Sequence, residues 1–161
     1  MNERLTEAKT WIVAFFTALG AAVGWKGVLA AVWVLVMALD YISGSAAACR
    51  AGEWSSSAAR QGLWHKGGMI LVVAVAAIAD CMILTVGAKL PTGLNFAWPG
   101  VLFPMVLAWY IITELGSILE NAVKLGANVP DWLAKALKIS LNAVDKAGST
   151  AAGSADEEDA E

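Results

Sequence analysis

Three carboxylates stand in stretches that hold no other charge: Asp40 in 27–48, Asp80 in 67–87 and Glu114 in 98–119. Each stretch is long and apolar enough to cross a bilayer as a helix. A charge at the centre of such a helix costs at least ~2.5 to 3.5 kcal/mol on insertion scales. A carboxylate kept there must hold a proton, bond to polar groups on other helices, or face water. Candidate partners stand close in sequence. Tyr41, Ser43, Gly44 and Ser45 follow Asp40, and Thr113, Ser117 and Asn121 surround Glu114. Glu120, at the inner end of its stretch, is placed to pair with Lys124 at i+4. No basic residue lies within the three apolar stretches. Two uses follow for Asp40, Tyr41, Gly44, Asp80, Glu114, Ser117, Glu120 and Asn121: polar glue between helices, or the lining of a wet hole. Asp40 and Glu114 fall at similar depth in the inner half and Asp80 in the outer half, so the first two are expected to matter more.

Catalytic chemistry has little to stand on. His65 is the only histidine and has no nucleophile or acid pair beside it. Cys49 and Cys81 are 32 residues apart with no metal-ligand spacing, and the topology puts them at different depths, which argues against a disulfide. No metal, cofactor or enzymatic activity is expected. Nucleic acid is not expected either, for want of a basic patch with aromatics.

The elements that must position these residues read as an all-α integral membrane protein. A membrane domain over 1–128 has segments at about 11–24, 27–48, 67–87 and 98–119. The first, WIVAFFTALGAAVG, is only 14 residues, about 21 Å against a hydrocarbon core of about 30 Å. Its Ala14, Ala18 and Ala22 repeat every four residues, and Gly20 and Gly24 form a GxxxG; such smooth faces allow close helix packing. Three and four crossings both remain open. If 11–24 crosses, nine Lys and Arg fall on one side and only Lys26 and Lys89 on the other. The positive-inside rule then favours four segments with both termini cytoplasmic.

The connection 49–66 reads as a cytoplasmic surface loop. Arg50, Arg60, Lys66, Lys124, Lys135 and Lys138 are expected at the membrane surface, near anionic headgroups. Residues 87–100, with Pro91, Pro99 and three glycines, read as an outer turn region. Pro104 falls in a first helical turn, where it is tolerated. Trp25, Trp54, Trp64, Trp98 and Trp132 read as interface anchors, and Trp33 and Trp109 as packing residues.

Gly126 stops the last apolar helix, and Pro130-Asp131 opens another. Over 129–147, Leu133, Leu137, Leu141 and Val144 share one face, while Lys135, Lys138, Asn142 and Lys146 share another. Such an amphipathic helix lies on the cytoplasmic membrane surface or docks on the protein's own loop. The tail 148–161 is small and polar, with five acids in its last six residues, and is expected to be disordered. The net charge of −3 comes from that tail.

The order of these motifs resembles a known family. Leu39-Asp40-Tyr41-Ile42-Ser43-Gly44 closes an apolar span. Ser55-Ser56-Ser57, Arg60-Gln61-Gly62-Leu63 and Lys66 follow, and then a span ending in Ala79-Asp80. The most specific piece is Thr113-Glu114-Leu115-Gly116-Ser117-Ile118-Leu119-Glu120-Asn121, with Leu125-Gly126-Ala127-Asn128-Val129-Pro130 after it. Across about 27–140 the chain is similar to the holins of phage lysis and toxin secretion. That resemblance implies a protein that accumulates in the host cytoplasmic membrane, associates with copies of itself and opens holes at a set time. A cell-wall hydrolase (endolysin) or a large toxin then leaves, without needing direct contact. The competing readings are a small non-lytic channel or transporter and a membrane scaffold. A transporter would want paired charges or inverted repeats, and the sequence displays neither.

Overall fold

The computed structural model describes residues 2–89 and 98–157, with the side chains of residues 10, 24–89 and 98–151. The chain is all-α, and no strand occurs among the described residues. In order the helices are α1 (Asn2–Ala51), α2 (Ser56–Gly87), α3 (Leu102–Lys124) and α4 (Asp131–Glu157). Three stretches are long and apolar enough to cross a membrane: Gly24–Ala51 within α1, Ser56–Gly87 and Leu102–Lys124.

α1 is two helices joined at Gly24, whose φ of 71° and ψ of 179° break the helical path. A side chain rarely tolerates that positive φ, and glycine does. The break therefore separates 2–23 from the span that begins at Gly24. The smooth face formed by Ala14, Ala18 and Ala22 lies outside the described side chains, as the Pro91 and Gly93 turn lies outside the described residues.

Local chemistry sets the other ends. α1 closes with Gly52 N–H on the Cys49 carbonyl and Glu53 N–H on that of Ala48; α3 closes with Gly126 on Val123 and Ala127 on Ala122. Both are the paired bonds of a helix ending on a left-handed glycine, with φ of 71° at Gly52 and 89° at Gly126. α2 starts on Ser55, whose Oγ accepts from Ala58 N–H at 3.2 Å. That cap corrects the expected surface loop: residues 56–66 are the first three turns of α2. Ala58, Ala59, Arg60, Gln61 and Leu63 after the serine cap all favour helix. Pro104 sits in the first turn of α3.

α4 runs to Glu157, ten residues beyond the expected end at 147. Ser149 and Thr150 return their hydroxyls to the carbonyls of Asp145 and Lys146, so they do not interrupt the helix.

α3 is the centre of the bundle. It packs against α1, α2 and α4, whereas α1 and α2 barely touch. A small core of Trp33, Met37, Met69, Val73 and Leu107 joins the three long helices. Trp33 packs its ring 6.2 Å from that of Tyr110, and its Nε1 is buried without a hydrogen-bond partner. Trp25, Trp54, Trp64 and Trp132 are exposed, as interface anchors require. Trp98 instead turns its indole N–H into the protein, onto Asp80.

Candidate functional site

Counting along the helices brings three charged residues to one level. Lys66 lies ten residues after Ser56, Glu114 ten before Lys124, and Asp40 eleven before Ala51. At ~1.5 Å per residue, each is about 15 Å from the same end of the bundle. The structure joins them. Lys66 Nζ donates to Asp40 Oδ2 at 3.0 Å and to Glu114 Oε2 at 2.6 Å. Asn121 Nδ2 donates to Asp40 Oδ1 at 3.2 Å and to Ser43 Oγ at 3.1 Å. Ser43 Oγ in turn donates to the Asp40 carbonyl at 3.1 Å. Gly44 lies against this network, where a Cβ on it would come into van der Waals contact with Asn121 Nδ2 at 3.4 Å.

Lys66, expected at the membrane surface, instead turns its ammonium into the protein, its side chain only 12% exposed. It supplies the basic partner that the apolar stretches appeared to lack. Among the described residues its two contacts are the only ion pairs, so the i+4 pairing of Glu120 with Lys124 does not form. Removing one partner from such a buried set leaves an uncompensated charge, at a cost of about 3 to 5 kcal/mol. The cluster carries two carboxylates for one ammonium. One proton on the carboxylates, or one further cation, balances it.

Because α1 and α2 barely touch, a cleft of about 820 Å³ opens between them and reaches the cluster. Its walls include Tyr41, Ala48, Gly62, Gly68 and Ser117, with Trp54 at the rim. A Cβ built on Gly62 or Gly68 would meet nothing within 4 Å, so small residues leave the space unfilled. His65 also lines this cleft.

A second buried centre forms toward the opposite end of α2. Asp80 lies fourteen residues from Lys66, about 21 Å along the helix. Its Oδ1 accepts from Trp98 Nε1 at 2.7 Å and Leu102 N–H at 3.2 Å, and its Oδ2 accepts from Phe103 N–H at 2.9 Å. Asp80 therefore caps α3 from a neighbouring helix, taking up N–H groups that have no partner within α3. Lys26 Nζ closes the same end, donating to the Gly100 carbonyl at 2.8 Å.

The remaining polar residues disperse. Arg50 donates to the Leu125 carbonyl, placing its charge at the C-terminus of α3. Arg60, Glu120, Lys124, Lys135 and Lys138 are exposed. Glu120 and Lys138 share a shallower cavity between α3 and α4. Cys49 and Cys81 are both exposed thiols. No group of His, Cys, Asp and Glu among the described residues could hold a metal ion.

Known proteins resemble this arrangement in sequence. An uncharacterized protein of Listeria innocua is 34% identical over 125 residues, which is 78% of this chain and 80% of that protein. Another, of Halalkalibacterium halodurans, is 30% identical over 112 residues, 70% of this chain and 77% of its own length. An uncharacterized Clostridium perfringens protein is 34% identical over 101 residues, 62% of this chain; the match spans 65% of that relative, just under two thirds. No solved structure matches. The model of the bacteriophage holin family matches residues 17–142, taking in the inner cluster, Asp80 and most of α4's Lys-bearing stretch. A multi-pass helical chain matched over that length belongs to the bacteriophage holin family.

Proposed function

We propose that this protein associates with copies of itself in a bacterial cytoplasmic membrane and opens holes. A cell-wall hydrolase made in the cytoplasm then reaches the wall and lyses the host. The observation that carries the reading is the Asp40–Lys66–Glu114 cluster joining three membrane-length helices beneath an open cleft. Charges buried there are costly in a dry assembly and become favourable once water reaches them. A bundle in which α1 and α2 hardly touch has room to rearrange around α3. The ends bearing Arg50, Arg60 and Lys124 face the cytoplasm in this reading, and both termini are cytoplasmic before the hole opens.

The test is controlled expression in bacteria, with culture density and membrane potential followed over time. The expected result is a delay, then a sudden loss of potential, with lysis when a cytoplasmic wall hydrolase is co-expressed. Steady growth at high membrane levels of the protein refutes the reading.

One observation favours a second reading, a non-lytic channel. The paired charges that a transporter wants are present at Lys66, Asp40 and Glu114. Passage of ions without passage of a folded hydrolase selects that alternative.

A further inference from the structure

α4 runs antiparallel to α3 along almost its whole length. It begins at Asp131, beyond the end of α3 at Lys124, and by Gly148 it has reached Met105. A Cβ on Gly148 would stand 3.6 Å from Met105 Cε. Between these points Trp109 Nε1 donates to Asp145 Oδ1 at 2.7 Å. Ala143, Val144 and Ala147 face Pro104, Met105 and Ala108 across one small cavity. Seventeen residues separate Asp131 from Gly148, a climb of about 26 Å, most of a hydrocarbon core of about 30 Å. α4 therefore occupies the depth of the span it leans on.

Its two faces divide sharply. Leu133, Leu137, Leu141, Val144 and Gly148 are half-buried. Lys135, Lys138, Asn142, Lys146 and Ser149 are exposed. At about 100° per residue the second set forms one stripe on the side of the helix opposite the first. Set against lipid at this depth, that stripe would put three ammonium groups toward hydrocarbon, each costing ~2.5 to 3.5 kcal/mol near the centre. Set against water, it costs nothing. The docked position suits α4 only where water fills the space beyond it.

We propose that α4 lines the hole: in the open assembly it is docked on α3 as in this structure, and its Lys135–Ser149 stripe faces the aqueous lumen. This inference rests on the hole-forming reading and assigns the element that borders the water. α3 then serves as the post between the lining helix and the α1 and α2 side of the bundle. The C-terminal end of α4 reaches the outer side once the lumen is wet. The Trp109–Asp145 hydrogen bond and the Met105–Gly148 contact hold α4 on α3.

The test uses the full chain with Cys49→Ala and Cys81→Ala, reconstituted in phosphatidylethanolamine–phosphatidylglycerol vesicles loaded with fluorescent dextran. Met105→Cys with Gly148→Cys should join through a short bismaleimide, and Val123→Cys with Gly148→Cys should not. The joined protein should still release dextran. Single cysteines at 138, 142 or 146 should lose flux when a bulky water-soluble thiol reagent is added to open holes, while cysteines at 137, 141 or 144 should not. Loss of flux on joining 105 to 148 overturns the proposal, because α4 would then be a strap that must leave. Absence of the cross-link, or equal response of the two faces to the reagent, also overturns it. If the cysteine-free parent releases no dextran, the hole-forming reading itself fails, and the 105–148 cross-link still reports whether α4 docks at this depth.

Discussion

Asp80 and Glu114 are equally buried, each 5% exposed, yet the two centres they belong to are built differently. Asp80 meets only N–H donors, two of them from the backbone at the start of α3. Those groups are fixed by the helix they begin, so the centre is a joint between α2 and α3. Glu114 meets the end of a flexible lysine shared with Asp40 on another helix. Its partners are side chains from three helices, and a cleft reaches them. A carboxylate held by a helix start locks a bundle. One held by a shared ammonium can change partners when helices slide or water enters. The Asp80 centre is thus built as a fixed joint, and the Asp40–Lys66–Glu114 centre from groups that can exchange partners.

The largest effect that tests this contrast is at Lys66. Lys66→Met leaves two carboxylates without their ammonium and should cost about 3 to 5 kcal/mol, read as thermal unfolding in detergent. Adding Asp40→Asn and Glu114→Gln should restore most of that loss. A Lys66→Met protein as stable as the parent would show that the cluster is not an ion-paired unit.

Next comes the outer joint. Asp80→Leu strips the acceptors from Trp98, Leu102 and Phe103, at about 1 to 3 kcal/mol for each donor left buried. Water reaching the helix end lowers the total, so about 2 to 3 kcal/mol is expected, with lower membrane levels of the protein. Asp80→Asn keeps one acceptor oxygen and should lose less. Whatever Asp80 protein does insert should open on the parent's schedule. A changed onset at matched membrane levels would erase the distinction between joint and switch.

Smaller in stability, but aimed at timing, are Asp40→Asn and Glu114→Gln. Each keeps hydrogen-bonding shape and should cost about 1 kcal/mol. Their onset of killing should move, because the closed assembly no longer buries the same charge. Leucine at either position serves as the comparison, and it is the more harmful change if the carboxylates act as glue alone. Parent timing in all four variants removes any role for these carboxylates in opening.

The smallest effect belongs to Arg50→Ala, which releases the Leu125 carbonyl and the favourable charge at the α3 C-terminus. Some 0.3 to 1 kcal/mol of stability should go, without a change of onset. A loss as large as that of Lys66→Met would mean that the inner ends of α1 and α3 are joined far more firmly than one exposed bond accounts for.

Much of this was legible in the chain. Helical character, three long apolar elements, the stops at Gly126 and the start at Asp131 follow from local rules: apolar run length, glycine at a left-handed position and proline before a first turn. The importance of Asp40, Asp80 and Glu114 was also visible, since a charge in an apolar run needs a reason. The start of α2 differs from the loop read over 49–66, and its one local signal is Ser55 placed before Ala58 and Ala59. Reading 49–66 as one loop left Lys66 outside the span and hid its role. The continuation of α4 past 147 was missed because serine, threonine and glycine weigh against helix in isolation; in place, Ser149 and Thr150 bond back to the helix.

By itself the sequence determined which segments are helices and that charge would be buried in them, because run length, capping and composition act over a few residues. Only the tertiary structure decided who meets whom. The separations from Asp40 to Lys66 and from Lys66 to Glu114 are 26 and 48 residues. Whether such residues touch depends on the rotation and vertical stagger of whole helices, to which no local pattern is sensitive. The same holds for Asp80 capping a helix it does not belong to, and for α4 lying along α3. An amphipathic period specifies that one face must be covered; the surface that covers it is set by packing across the bundle.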